Sequence, residues 1–181
     1  MQQGVNPNYM SDKDKNGDYS NNCQSCTVAA ELVIRGYDVE AGPYSTPEAK
    51  VLAKTDKSAY LDPVTGEECV PQKIDVSNVD CYDYLDKTIK LGERYEFSYS
   101  ITPENGKWSD TTSHRVIVTR DSGNELLIYD PQDGKIADKE NAKLYIDSVI
   151  NEYNTEFLPR ILRVDDKALN PIYINKVVRK H

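Results

Sequence analysis

Three features of this 181-residue chain predict an α+β fold, with a cysteine-bearing N-terminal helix packed on a mostly antiparallel sheet. The first is a capped and almost wholly apolar helical run that opens at Cys23. The second is a set of period-two strands gathered in the later half of the chain. The third is the tight turn Asp121-Ser122-Gly123-Asn124 between two such strands, which makes them antiparallel neighbours.

The elements follow in order. Residues 1–20 are rich in Asn, Asp, Lys, Gly and Ser and read as an arm, leaving 21–181 as one domain. Asn21 or Asn22 caps a helix of about 13 residues. Val28, Ala29, Leu32 and Val33 form its apolar face, Ala30 and Ile34 widen it, and only Glu31 and Arg35 interrupt it, so the helix is expected to be largely buried. Gly36 supplies the C′ residue. Tyr37–Ala41 reads as a short strand. Residues 42–76 contain Pro43, Pro47, Pro63 and Pro71 and read as loops with at most a short helix near Pro47–Lys54.

A second helix starts at Ser77 or Asp80, carries Tyr82, Leu85 and Ile89 at helical spacing, and ends before Gly92. Glu93–Ile101 reads as a strand with Tyr95, Phe97 and Tyr99 on one face, in the sheet core. A loop with the only tryptophan, Trp108, leads to the strong strand His114–Arg120. Glu125–Tyr129 returns and runs into Asp130-Pro131-Gln132-Asp133-Gly134. Asn141–Tyr153 reads as a third helix and Phe157–Val164 as a last core strand. The tail from 170, with Ile172, Ile174 and Val177-Val178, reads as an edge strand, and Asp165-Asp166 as solvated surface.

Charge and composition exclude several function classes. The net charge of −8 argues against non-specific nucleic-acid binding. No apolar run reaches the roughly 18 residues of a membrane span, so a soluble protein is expected. Met1-Gln2-Gln3-Gly4 lacks a secretion-signal pattern, so delivery to another cell would need a secretion system or an upstream domain. No cofactor is expected. A zinc site from Cys23, Cys26, Cys69 and Cys81 is disfavoured, because the second pair lacks the short ligand spacing. Cys69 and Cys81 read as structural, and no metal is expected.

The chemistry points to one constellation. A helix start favours the thiolate of a cysteine placed there, and its free N–H groups can hold an oxyanion. Of the two histidines, His181 is the last residue, so His114 is the one internal imidazole that can serve as base. The hairpin should bring Asp130 beside His114, as a base and its orienting carboxylate require. Gln132 could face the same cleft and contact an oxyanion or substrate. Trp108 either lines that cleft or anchors its loop.

These residues also carry a family resemblance. Asn22-Cys23-Gln24-Ser25-Cys26, followed by Glu31 and Arg35-Gly36-Tyr37-Asp38-Val39-Glu40-Ala41, looks like the opening motif of papain-fold toxin domains. Ser113-His114-Arg115-Val116-Ile117-Val118 resembles the family's Gly-His strand, with Ser113 in the glycine's place. Leu127-Ile128-Tyr129-Asp130-Pro131-Gln132-Asp133-Gly134 resembles its Asp-Pro-Gln-x-Gly exit.

The resemblance implies a papain-like fold and a Cys23, His114 and Asp130 triad. It also implies the activity of polymorphic-toxin effectors that deamidate glutamine side chains of a target protein, with a cognate immunity protein as a further partner. A papain-like cysteine protease and a catalytically silent papain-fold binding module are the alternatives. In papain-like proteases with Cys-x-x-Cys the second cysteine attacks, which would select Cys26. In the deamidase-like toxins the cysteine just after the Asn is the reactive one, which selects Cys23. Helix geometry also favours Cys23, at the first helical position beside the cap. Cys26 stays as the alternative nucleophile, as a redox partner for Cys23, or as a small buried apolar residue.

Overall fold

The computed structural model describes residues 4–101 and 112–180. In chain order its elements are α1 (Cys23–Ile34), β1 (Val39–Ala41), α2 (Pro47–Leu52), β2 (Tyr60–Leu61), β3 (Gln72–Lys73), α3 (Cys81–Thr88) and β4 (Tyr95–Ile101). They continue as β5 (Thr112–Arg120), β6 (Leu126–Asp130), β7 (Lys135–Asp138), α4 (Glu140–Val149), β8 (Arg160–Arg163), β9 (Ala168–Leu169), α5 (Pro171–Val177) and β10 (Val178–Lys180).

A six-stranded sheet in the order β3-β8-β4-β5-β6-β7 is antiparallel at every pairing. Strand alternation divides its side chains between two cores. On one face Phe97, Tyr99, Val116, Val118, Leu126 and Ile128 pack with Leu85 and Ile89 of the α3 region and Ala142 and Ile146 of α4. On the other, Ile117 and Leu162 pack under α1, with Val28, Ala29 and Leu32. The fold is α+β, and the helix carrying Cys23 is packed on the sheet, as the sequence predicts.

The ends of α1 follow from its sequence. Gly36 takes φ of 91°, and the Gly36 and Tyr37 N–H groups return to the Val33 and Leu32 carbonyls, a Schellman closure. At the other end Asn22 occupies the cap position, and its side chain makes no capping bond. Glu31 is fully buried, not a polar break in the apolar face, while Ile34 is exposed. Arg35 Nε meets one Glu31 oxygen at 2.8 Å, and Arg94 meets both at 2.7 and 2.9 Å. These two guanidiniums make the burial tolerable. Below them Thr27 Oγ1 donates to Glu96 at 2.8 Å, and Arg115 donates to the same carboxylate at 3.1 Å. The other arm of Arg115 donates to the carbonyls of Leu52, Lys54 and Lys57, tying the end of α2 to the sheet.

Four differences from the sequence expectations have local causes. α4 stops at Val149, short of Tyr153, and a 3₁₀ turn spans Glu152–Thr155. Asn154, fully buried, accepts from the Asn151 N–H and donates to the Ser100 carbonyl, which pins that turn to the end of β4. The last core strand is confined to β8, shorter than Phe157–Val164. The tail contains the helix α5 before its strand: the Asn170 side chain caps the Ile172 N–H, and Pro171 takes the first helical position. β10 then pairs with β1. Asp165 is not free surface, since it accepts from the Arg94 N–H and from Arg163.

The buried Arg115–Glu96 pair generates a prediction. Arg115→Met leaves a desolvated Glu96 carboxylate without its cation, and urea unfolding should show a loss of about 3–5 kcal/mol. Arg115→Met with Glu96→Gln should recover much of it. An equal loss in the single and double variants would show that the charge pair is not what is being read.

Candidate active site

Cys23 is the first residue of α1 and is 7% exposed. The Asn22 carbonyl accepts from the N–H groups of Ser25 and Cys26, so the Cys23 and Gln24 N–H groups lie ahead of the helical ladder. The Cys23 sulfur is 3.9 Å from the Ser113 carbonyl, where β5 begins, and 3.5 Å from the Gln24 side-chain oxygen.

His114 and Asp130 sit on the α4-facing side of the sheet. Continuing the β5–β6 register past Ile117 opposite Tyr129 places Asp130 across from Val116, diagonal to His114 on the same face. The side chains close that diagonal, with His114 Nε2 2.6 Å from Asp130 Oδ2. The other Asp130 oxygen accepts from the Gln132 N–H at 3.0 Å, which fixes the carboxylate plane.

With Nε2 engaged, Nδ1 is the ring nitrogen left for a second partner, and the Cys23 thiol lies near enough to act on the imidazole. Burial opposes an imidazolium here. The hydrogen bond to Asp130, the nearby Cys23 sulfur and the negative charge of both outweigh it and raise His114 from 6.5 to about 10. The structure therefore places Cys23 close to the bonded His114–Asp130 pair.

Cys26 is placed differently. It is fully buried, its sulfur donates to Asn22 Oδ1 at 3.2 Å, and burial pushes its thiol well up. All four cysteines are free thiols. Cys81 lies in the α3–α4 core, away from the Cys26 side of the sheet, and burial raises it to about 12. Among the described residues no three His, Cys, Asp or Glu side chains converge as a metal site. Gln132 is buried, and its side-chain nitrogen has no hydrogen-bond partner. Trp108 lies outside the described residues.

Sequence reasoning missed several neighbours. The Tyr99 ring stands edge-on to the His114 imidazole, with centroids 5.8 Å apart, and its hydroxyl lies 2.7 Å from that of Tyr145. Tyr99 pairs with His114 across β4–β5. Period-two patterning marks Tyr99 as core, but only the register puts it beside His114. A cavity of about 270 Å³ opens here, lined by Tyr99, His114, Asp130, Lys135 and Tyr145. A second, of about 290 Å³, opens beside Cys23 and is lined by Asn21, Gln24, Tyr44, Thr112 and Ser113. A larger cavity, about 590 Å³, lies near the other end of α1 between Val5, Val33, Tyr37 and Tyr129, and neither cysteine nor histidine lines it.

No helix among the described residues is long and apolar enough to cross a membrane. No curated protein matches the chain with significance. The sequence profile of a family described as papain fold toxin 1, glutamine deamidase, matches residues 21–135. That span is more than half of the chain, and Cys23, His114, Asp130 and Gln132 all fall within it. The chain belongs to the papain fold toxin 1, glutamine deamidase family.

Proposed function

We propose that this chain is a cysteine amidohydrolase that deamidates glutamine side chains of a protein in a target cell, with Cys23, His114 and Asp130 as its catalytic triad. The observation that carries the reading is the 2.6 Å His114–Asp130 bond with the Cys23 thiol beside it, in a chain of this family.

His114 takes the proton of the Cys23 thiol, the sulfur attacks the glutamine Cδ, and the carbonyl π electrons move to the oxygen. The N–H groups at the start of α1 and the buried, unpartnered Gln132 side-chain nitrogen hold that oxyanion. The oxyanion collapses as His114 gives its proton to the nitrogen, so the C–N bond breaks, ammonia leaves and a thioester remains. A water then gives its proton to His114 and attacks the thioester. The C–S bond breaks with its electron pair going to the Cys23 sulfur, the proton held by His114 restores the Cys23–His114 pair, and the product is glutamate. Asp130 keeps the ring oriented and its charge balanced throughout.

Incubation with target-cell lysate followed by mass spectrometry should reveal glutamine sites shifted by about +1 Da, the difference between a carboxamide and a carboxylic acid. Cys23→Ala and His114→Ala should each abolish those shifts with the fold intact. Asp130→Asn should lower kcat by roughly 10³–10⁴-fold. Shifts that persist in Cys23→Ala would end the mechanism.

Burial raises Cys26, Cys69 and Cys81 above the usual thiol range. Iodoacetamide at neutral pH should therefore alkylate Cys23 far faster than the other three, as peptide mapping would read. Uniform labelling of all four would refute an activated nucleophile.

The raised His114 fixes the direction of the pH dependence. Its protonated form contributes stability that is fully present below about pH 6.5 and is lost as pH rises toward about 10. The alkaline limb of kcat/KM should accordingly lie well above pH 6.5, and Asp130→Asn should move it down. A limb that stays in place in Asp130→Asn would remove Asp130 from the proposed role.

A further inference from the structure

We propose that Asn6 is a positioning residue of the catalytic site, its carboxamide fastening the start of α1 to the Asp130–Gln132 exit and so setting how Cys23 meets His114. The proposal rests on the functional reading above and extends it to a segment outside the residues matched by the family, 21–135.

Asn6 is 7% exposed and stands between the stretch leading into α1 and the exit of β6. Its Nδ2 lies 2.9 Å from the Tyr19 carbonyl, 3.1 Å from Asn22 Oδ1 and 3.1 Å from the Gln132 carbonyl. Asn22 Nδ2 lies 3.4 Å from Asn6 Oδ1 in return, so the two amides face each other head to tail. Two N–H bonds serve three acceptors, two on the stretch that leads into α1 and one beyond β6, and no other residue makes this junction among the described residues.

The junction reaches the chemistry at both ends. Asn22 precedes Cys23, is fully buried, and spends its side chain on Asn6, Cys26 and the Gly42 carbonyl instead of capping α1. Gln132 donates its N–H to the Asp130 oxygen that does not meet His114. One wall of the site therefore carries the nucleophile and the other the acid, and Asn6 bonds to both. A side chain that only filled space would not present its donor to the β6 exit and the α1 start together. Removing that donor leaves three buried oxygens facing one another, and the two walls lose their common reference.

The test reads the rate of Cys23 alkylation by iodoacetamide against pH in the full chain, which needs no protein substrate. The groups facing His114 that shape this profile are Cys23, Asp130, Tyr99 and Tyr145, with Asp133 and Lys135 across the adjoining cavity. His114→Ala defines the profile of an unpaired thiol. Asn6→Ala should move the profile toward that limit and slow alkylation at neutral pH by roughly 10- to 100-fold, with circular dichroism unchanged. Asn6→Ser, which keeps a hydroxyl too short to span the junction, should do the same and decides the matter if Asn6→Ala does not fold. Val5→Ala, which thins the neighbouring core, should lower the melting temperature and leave the profile in place. If His114→Ala moves the profile and neither Asn6 variant does, the positioning role is overturned alone. If His114→Ala leaves it unmoved, the triad reading falls and the role of Asn6 falls with it.

Discussion

The burial of Glu31 and Glu96 is the constraint on which the rest of this structure depends. α1 is apolar on nearly every side, and the hydrophobic effect that buries it has no direction. Such a helix could pack in neighbouring registers at similar cost. A slip of one residue would move Cys23 by about 1.5 Å along the axis and swing it by about 100° around it, enough to separate it from His114. Directional bonds remove that freedom. Glu31 must meet Arg94 on the sheet side, and Thr27 must meet Glu96, which Arg115 already holds. Unpaired, either carboxylate would be a buried charge costing several kcal/mol. The register of α1 is therefore the one that satisfies both.

The sheet holds its half of the site by different means. β5 and β6 are neighbours through a short hairpin whose turn is closed by Asp121, which accepts from the Gly123 and Glu125 N–H groups. Their register gives His114 and Asp130 a common face. The charge on each then supports the other, and the neighbouring thiol adds to the same sum. The Tyr99 ring stands edge-on to the imidazole, its hydroxyl pairs with that of Tyr145, and burial raises both phenols, so they stay neutral. The site is thus a small region of linked charges set against two neutral phenols.

What the sequence makes legible follows how local the signal is. Period-two runs and a turn motif bound β5 and β6, so His114 and Asp130 could be paired before any coordinates. The apolar run, its cap position and Gly36 bound α1 to within a residue. The signals that mislead are those that tertiary partners override. Glu31 looks like an interruption of the apolar face because Arg94 lies 63 positions away. The tail reads as a strand because Ile172, Ile174 and Val177-Val178 are β-formers, yet the Asn170-Pro171 start commits it to α5. Tyr99 could not be aligned with His114 because register across a long connection is not written in either strand. Asn6 carries no local signal whatever, since its three partners lie 13, 16 and 126 residues away.

That last case separates the two walls of the site by how firmly each is built. Asp130 sits at the end of β6 in a tight return. Its carbonyl accepts from the Gly134 N–H, Gly134 takes φ of 78°, and Asp130 pairs with Lys135 as β7 begins. Its backbone is set locally, by a turn that folds within six residues. The start of α1 has no such support, because its cap side chain is turned inward and the first two helical N–H groups lie ahead of the ladder. What fixes it is the amide pair between Asn22 and Asn6, together with the Gly42 carbonyl. Gly42 is itself pressed against β10's neighbour Val177, where a Cβ would come within 2.9 Å of the Val177 carbonyl oxygen. The Cys23 wall is therefore assembled from the two ends of the described chain, while the backbone at Asp130 is set by its own turn. In the proposed triad the placement of Cys23 against His114 thus depends on contacts of long range, and Asn6, which makes two of them, is inconspicuous in the sequence.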